Sequence, residues 1–359
     1  MHFYKIPVSE KTFETKDSVS LHFKAIELPE EFNTFHPGQH LTLKLTIKDK
    51  EYRRSYSMSS APGQNEISIS IKKVDDGIVS NFIFDKLNAG DSLELSGPEG
   101  HFFIKPDSEK RQNYYFFAAG SGITPIFSMI QSLLENEPKS NVYLFYGNRT
   151  EEDIMFHKQL IDLSKKYQDQ FYVEFTLSRL KGNLLPFLAS KKKIWEGLKG
   201  RINKDSIQKF FEKYPPRNLN SQYYLCGPGD FIEGTKENLL LSNIDPKAVH
   251  AEYFTIPLHP SSDSKISNLS SVRLIVHLNN KTHELQVPGN KKILDSILDA
   301  KLDPPYSCSS GACSTCMAKI IQGNVHMDVS LALEPEEIEQ GYILTCQSRP
   351  LTELIEIKY

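Results

Sequence analysis

A surplus of charge of either sign is the first thing this sequence lacks. Its 42 Lys and Arg against 45 Asp and Glu leave a formal charge of -3 over 359 residues, so nothing global marks a nucleic-acid binder, and small or acidic partners stay open. It also lacks any apolar run near the roughly 20 residues needed to cross a bilayer. Residues Met1 to Lys16 have no basic start followed by an apolar stretch, so a signal peptide is not expected and the cytoplasm is the expected compartment. Cysteine is scarce too: five residues are too few for a disulfide scaffold. Four of them lie close together near the C-terminus, which points to metal ligation in a reducing compartment, while Cys226 stands apart. There is no internal repeat.

What is present reads as several domains, since the chain is long enough for two or three cores. Up to about Lys105, short alternating segments ("HLTLKLTI", "YRRSYSMSS", "EISISIKKV", "DSLELSGPEG") are punctuated by Pro37-Gly38, Pro62-Gly63 and Gly97-Pro98, which predicts a small antiparallel barrel over 1–105. After Asp107 the pattern changes. "NYYFFAAG" is a continuously apolar strand running into Gly120 and a helix-like stretch from Pro125 to Glu135. The runs "NVYLFYG", "FYVEFTLS" and "SQYYLCGP" alternate with helical stretches at Glu151 to Tyr167 and Asp230 to Ser242, predicting a parallel α/β sheet over 106–256. A polar, Pro- and Ser-containing linker is expected over 257–271. From Val272 a compact α+β unit follows, with two strands around Asn279-Asn280 and the helix "ILDSILDA".

Cys308, Cys313 and Cys316 stand in the spacing C-x4-C-x2-C, with Cys346 far downstream. This is the plant-type ferredoxin pattern for a 2Fe-2S cluster. The small residues of "SCSSGACSTC" let a loop wrap a cluster and aim backbone N–H groups at its sulfur. A structural four-cysteine zinc site is the alternative, but it normally uses two close cysteine pairs and only one exists here.

Gly120-Ser121-Gly122-Ile123-Thr124-Pro125 lies between an apolar strand and a helix, where free N–H groups and the helix dipole favour a phosphate. It departs from the dinucleotide fingerprint at the last glycine, and a tight structural turn is the competing reading. "YYLCGPG" repeats the strand-then-glycine arrangement, at the sheet edge where open α/β folds bind ligands. Cys226 would face a nicotinamide there, or else be a buried small hydrophobe. No acidic residue directly follows the strand ending at Tyr146 to hold a ribose hydroxyl, whereas Arg149, Ser178 and Arg179 could contact a 2'-phosphate, favouring NADPH over NADH. Each arginine alone is also readable as surface charge.

In "RRSYSMSS", Arg54 and Tyr56 fall on one face of a strand, suited to clamping a pyrophosphate and packing an isoalloxazine. A half-exposed sheet face reads the same way. Gly77-Ile78-Val79-Ser80-Asn81, ahead of "SNFIFDKL", offers a second pyrophosphate anchor at a helix start.

Together these motifs resemble the ferredoxin-NADP reductase family of flavoproteins with a plant-type 2Fe-2S ferredoxin domain at the C-terminus, over nearly the whole chain. The resemblance implies an FAD barrel, a nucleotide-binding α/β domain and a β-grasp ferredoxin domain. It implies that Arg54, Tyr56 and Ser57 carry FAD, with Gly77, Val79 and Ser80 at its pyrophosphate. Gly120, Gly122, Thr124, Pro125, Cys226, Gly227 and Pro228 would form the nicotinamide site. "AEYF" would lie near the flavin, with Phe254 against a cofactor and Glu252 as a proton relay or nicotinamide-positioning residue, making Ser57, Cys226 and Glu252 the catalytic set. The tail "GNVHMDVSLALEPEEIEQGYILTCQSRPL" is similar to that of the reductases in phenylacetyl-CoA epoxidase systems, which implies a di-iron oxygenase as partner. Related reductases with this tail serve other acceptors, such as desaturases, hydroxylases or hybrid-cluster proteins.

The resemblance implies an oxidoreductase in which a hydride delivers two electrons to FAD and the cluster hands them on singly. The linker would let the ferredoxin domain approach first the flavin and then a partner. A redox sensor with little turnover is the reading from another class. The segment Lys181 to Lys193 reads as a divergent loop, and its Lys191–Lys193 run as a docking patch or a solvated face.

Overall fold

The computed structural model describes residues 1–179, 195–257 and 269–359. The Lys181 to Lys193 segment and most of the expected 257–271 linker lie outside the described residues.

The N-terminal part is built of antiparallel strands in two sheets. One has the order Tyr4–Pro7, Ser92–Glu99, His40–Ile47, Lys50–Ser57; the other runs Glu10–Thr15, Ser18–Lys24, Glu66–Lys72. Alternation puts Ile67, Ile69 and Ile71 on one face, where they join Leu21, Leu43 and Leu95 in a shared core. Lys50–Ser57 is an edge strand, paired only with His40–Ile47 within its sheet.

The central part is a six-stranded, wholly parallel sheet in the order Leu198–Lys199, Phe171–Leu177, Asn141–Asn148, Gln112–Ala119, Asn220–Gly227, Val249–Tyr253. Its strands carry continuous apolar runs because both faces are covered: Phe116 and Leu144 bury toward one core, Phe117 and Phe145 toward another. The chain leaves Gln112–Ala119 in one direction and returns beside it at Asn220–Gly227, so the sheet reverses order between these two strands. That reversal opens a crevice at their carboxyl ends.

The helix expected from Glu151 to Tyr167 is split. A short 3-10 turn, Glu151–Asp153, is held by Thr150 and Asp153 in a reciprocal cap, and the helix proper runs His157–Lys166. The break is Phe156, whose left-handed φ of 57° cannot continue a helix.

The C-terminal part is a mixed sheet in the order Lys281–Val287, Val272–Leu278, Leu354–Lys358, Met317–Gln322, Tyr342–Leu344, packed by the helix Ile293–Asp299. Asn279 and Asn280 take left-handed φ values of 51° and 59°, the mirror-image turn that matches the twist of a hairpin. Among the described residues no helix is long and apolar enough to cross a membrane.

Candidate functional site

The reversal point holds the glycine-rich turn and the Cys-Gly-Pro turn against each other. A Cβ on Gly122 would sit 2.0 Å from the Cys226 carbonyl oxygen and 2.6 Å from the Gly227 nitrogen, so only glycine allows the approach. Gly120, with φ of 57°, offers its carbonyl to the Tyr146 hydroxyl at 2.8 Å. Thr124 donates to the Ser121 carbonyl at 3.0 Å, and Pro125 is buried in the first turn of the helix Ile123–Asn136. Past Cys226, Pro228 caps the helix Gly229–Leu241, and the Phe254 amide donates to the Gly227 carbonyl at 3.0 Å. Two glycine turns and two helix starts thus face one crevice, a cradle of the kind a dinucleotide requires.

Further along the same sheet edge, the Ser178 amide donates to the Asn148 carbonyl at 2.9 Å and the Arg179 amide to the Arg149 carbonyl at 2.8 Å. Arg149, Ser178 and Arg179 are therefore neighbours at adjacent strand ends, all exposed. Two cations and a hydroxyl gathered this way suit a phosphate monoester.

On the barrel side, Arg54 and Tyr56 share one face of the Lys50–Ser57 strand, and burial pushes the Tyr56 phenol pKa up. Gly77 precedes the helix Ile78–Asp85, and a Cβ there would collide with Ser80 Oγ at 2.4 Å. Val79 and Ser80 are buried in its first turn. Asn81 Oδ1 is buried without a partner among the described residues, a polar atom that a bound ligand would satisfy. These features fit FAD.

Between the two lies a largely buried acid, Glu252, its side chain 15% exposed. Ser57 Oγ donates to Glu252 Oε2 at 3.5 Å, Cys226 Sγ approaches the same oxygen at 3.9 Å, and His40 Nδ1 is 4.0 Å from Oε1. Burial pushes the Glu252 carboxyl pKa up to about 8, so it holds its proton at neutral pH. Burial, then the nearby Glu252, raises the Cys226 thiol as well, whereas burial lowers His40 to about 4 and keeps it neutral. Ser57, Cys226 and Glu252, distant in sequence, thus meet at one point. Sequence reasoning missed His40, because within an alternating strand it looks like any inward polar residue.

In the cluster loop the Cys308 thiol is hydrogen-bonded to those of Cys313 and Cys346, and Cys346 in turn to that of Cys316. Donation from Cys313 and then Cys346 holds Cys308 well below the ordinary thiol range, while the same hydrogen bonds to Cys308 push Cys313 and Cys346 up. The loop's tight path uses Ser309 and Gly311 at φ of 56° and 80°. The Ser310 amide donates to Cys308 Sγ at 3.4 Å, and Gln347 Nε2 to Cys346 Sγ at 3.5 Å. An all-sulfur set in the asymmetric C-x4-C-x2-C spacing, with a fourth cysteine arriving from far downstream, fits a 2Fe-2S cluster.

The comparisons with known proteins follow the same three divisions. Residues 5–104 match an oxidoreductase FAD-binding domain, 116–237 an oxidoreductase NAD-binding domain and 276–351 a 2Fe-2S iron-sulfur cluster binding domain. The chain is 32% identical to one of the subunits of 1,2-phenylacetyl-CoA epoxidase from Escherichia coli, over 99% of this chain and 98% of that one. It is 30% identical to the ferredoxin reductase component of 3-ketosteroid-9-alpha-monooxygenase from Mycolicibacterium smegmatis, over 100% and 97%. Phthalate dioxygenase reductase shares the fold, with a TM-score of 0.60 and 20% identity over 99% of this chain and 98% of that one.

Proposed function

The chain belongs to the family of oxygenase-system reductase components that join FAD-binding, NAD-binding and 2Fe-2S domains in one polypeptide, and from that premise we propose that it draws electrons from NADPH and delivers them to a di-iron oxygenase of the phenylacetyl-CoA epoxidase kind. Bound in their sites, FAD takes a hydride's two electrons together and the cluster passes electrons on one at a time. The observation that carries this reading is the convergence of Ser57 and Cys226 within 3.9 Å of one Glu252 carboxylate oxygen, with Ser57 on a strand that also touches the cluster loop through a 2.7 Å contact from Ser55 to Ser307.

In this reading the units are 1–105 for FAD, 106–256 for the nucleotide and 272–359 for the cluster. Arg54, Tyr56, Ser57, Gly77, Val79 and Ser80 hold FAD. Gly120, Gly122, Thr124, Pro125, Gly227, Pro228 and Phe254 shape the nucleotide crevice, and Arg149, Ser178 and Arg179 take the 2'-phosphate. Cys226 presents a neutral, soft thiol to the nicotinamide, and neutral Glu252 keeps a proton beside Ser57 and Cys226 while water is excluded. Cys308, Cys313, Cys316 and Cys346 ligate the cluster. The thiolate ligands suit the reducing cytoplasm. The test is reconstitution with a purified di-iron epoxidase component: NADPH-dependent epoxide formation is expected. Failure there, with brisk electron delivery to an oxygenase of another metal type, would overturn the choice of partner.

A further inference from the structure

The Lys50–Ser57 strand turns its two faces to different neighbours. Arg54 and Tyr56 take one face. Arg53 and Ser55 take the other, and there they meet the segment that leads into the first cluster ligand. Arg53 Nη2 donates to Asp303 Oδ1 at 2.7 Å, its Nε donates to Glu51 Oε1 at 2.9 Å, and its guanidinium lies 4.5 Å from the centre of the Tyr306 ring. Ser55 Oγ donates to Ser307 Oγ at 2.7 Å, and Ser307, next to Cys308, is buried. At the far end of the loop Thr315 Oγ1, next to Cys316, donates to Glu99 Oε2 at 3.3 Å. The cluster loop is therefore fastened to the barrel on both sides.

Arg53 is the unusual member. Its side chain is 6% exposed while that of its partner Asp303 is 63% exposed, and arginine is almost never buried unless paired. Glu51 and the Phe3 ring, 5.1 Å away, hold it from its own unit, and the other carboxylate and the closer ring come from the ferredoxin unit, far away in sequence. A planar fork that bonds a carboxylate while stacking on a ring is a contact that lysine cannot reproduce. No flavin or nucleotide motif uses Arg53, because the motif arginine is Arg54.

We propose that Arg53, with Asp303 and Tyr306, is a positioning latch that fixes the cluster loop against the flavin strand and so governs the passage of electrons from flavin to cluster, without affecting hydride transfer from the nicotinamide. The latch rests on the relay of the proposed function. In that relay NADPH loses a hydride and becomes NADP+. The two electrons leave the flavin singly, each reducing the cluster by one and moving to the acceptor before the next, with one proton released. Holding the donor and the acceptor in one geometry is what makes such a step fast.

Two measurements on the complete holoprotein test it, using Arg53→Met, Asp303→Asn, the double variant and Arg53→Lys. Asp303 is exposed, so its variant keeps the fold if the arginine variant does not. Amide hydrogen exchange should rise roughly 10-fold at Tyr306 and Ser307, which follow Pro304 and Pro305, in each single variant, with the double variant no worse than either single one. In anaerobic rapid mixing with NADPH, flavin bleaching should stay within about 2-fold of the wild type while cluster bleaching slows roughly 10-fold, with Arg53→Lys in between. Unchanged exchange overturns the latch, as does unchanged cluster bleaching or an equal slowing of both phases. A wild-type cluster that stays oxidised overturns the relay and the rate claim with it, and the exchange data then judge the docking contact on its own.

Discussion

Cys308, Cys313 and Cys316, three of the proposed cluster ligands, come from one short loop, with Cys346 alone arriving from elsewhere, whereas Ser57, Cys226, Glu252 and His40 come to their meeting point from four strands in two sheets. The first site is assembled by local chain path and the second by register and long-range packing. A loop-built site depends on every ligand at once and should fail all-or-none. A strand-built site carries several partial contributions and should respond by degrees.

The sharpest way to break that contrast is a single ligand change. Cys313→Ser should remove the iron-sulfur absorption and lower NADPH-driven electron delivery to a one-electron acceptor by about 100-fold or more, while flavin reduction continues. Cluster bands that persist in the spectrum would contradict the all-or-none behaviour.

Gly122→Ala comes next, because it attacks the point where the two glycine turns touch. Its Cβ would need to displace the Cys226 carbonyl from 2.0 Å, and a shift of about 1 Å between the turns should slow flavin reduction on the order of 100-fold with the cluster intact. A steady rate in rapid mixing would show that the turns are not in contact when nucleotide binds.

A smaller effect is expected at the outer end of the crevice. Arg149→Ala or Arg179→Ala should each raise the KM for NADPH about 10-fold and leave that for NADH nearly unchanged, since only one of the two nucleotides carries the 2'-phosphate. An equal change for both would make these arginines general surface charges.

The gentlest probe is pH. The folded Glu252 carboxyl keeps its proton up to about pH 8, against an ordinary value of 4.5. Its contribution to stability is therefore fully present below about 4.5 and is lost as the pH rises toward 8. Relative to Glu252→Gln, the wild type should lose about 2 kcal/mol between pH 6 and 7.5, read from denaturant midpoints. Parallel curves for the two proteins would mean that the acid is not desolvated.

The same contrast explains what was legible in the sequence. The cysteine spacing, the apolar parallel strands and the Asn279-Asn280 turn are local patterns, so residue order alone exposes them. Arg54 and Tyr56 could be placed on one face because a strand has period two. The meeting of Ser57 with Glu252, by contrast, needs two sheets to be placed relative to one another, which no local pattern encodes; only the family resemblance suggested Glu252. His40 gave no signal, and Arg53 stood unnoticed beside the motif arginine because its partner Asp303 lies in another unit. The Glu151 to Tyr167 stretch looked continuous because a left-handed phenylalanine has no signature in sequence.

The central claim is that the two differently built sites exchange electrons within one chain. It is tested most directly by anaerobic titration of the purified holoprotein with NADPH while recording the visible spectrum. The account predicts that flavin and iron-sulfur bands are both present and that NADPH bleaches both; a flavin that bleaches while the cluster stays oxidised would contradict it.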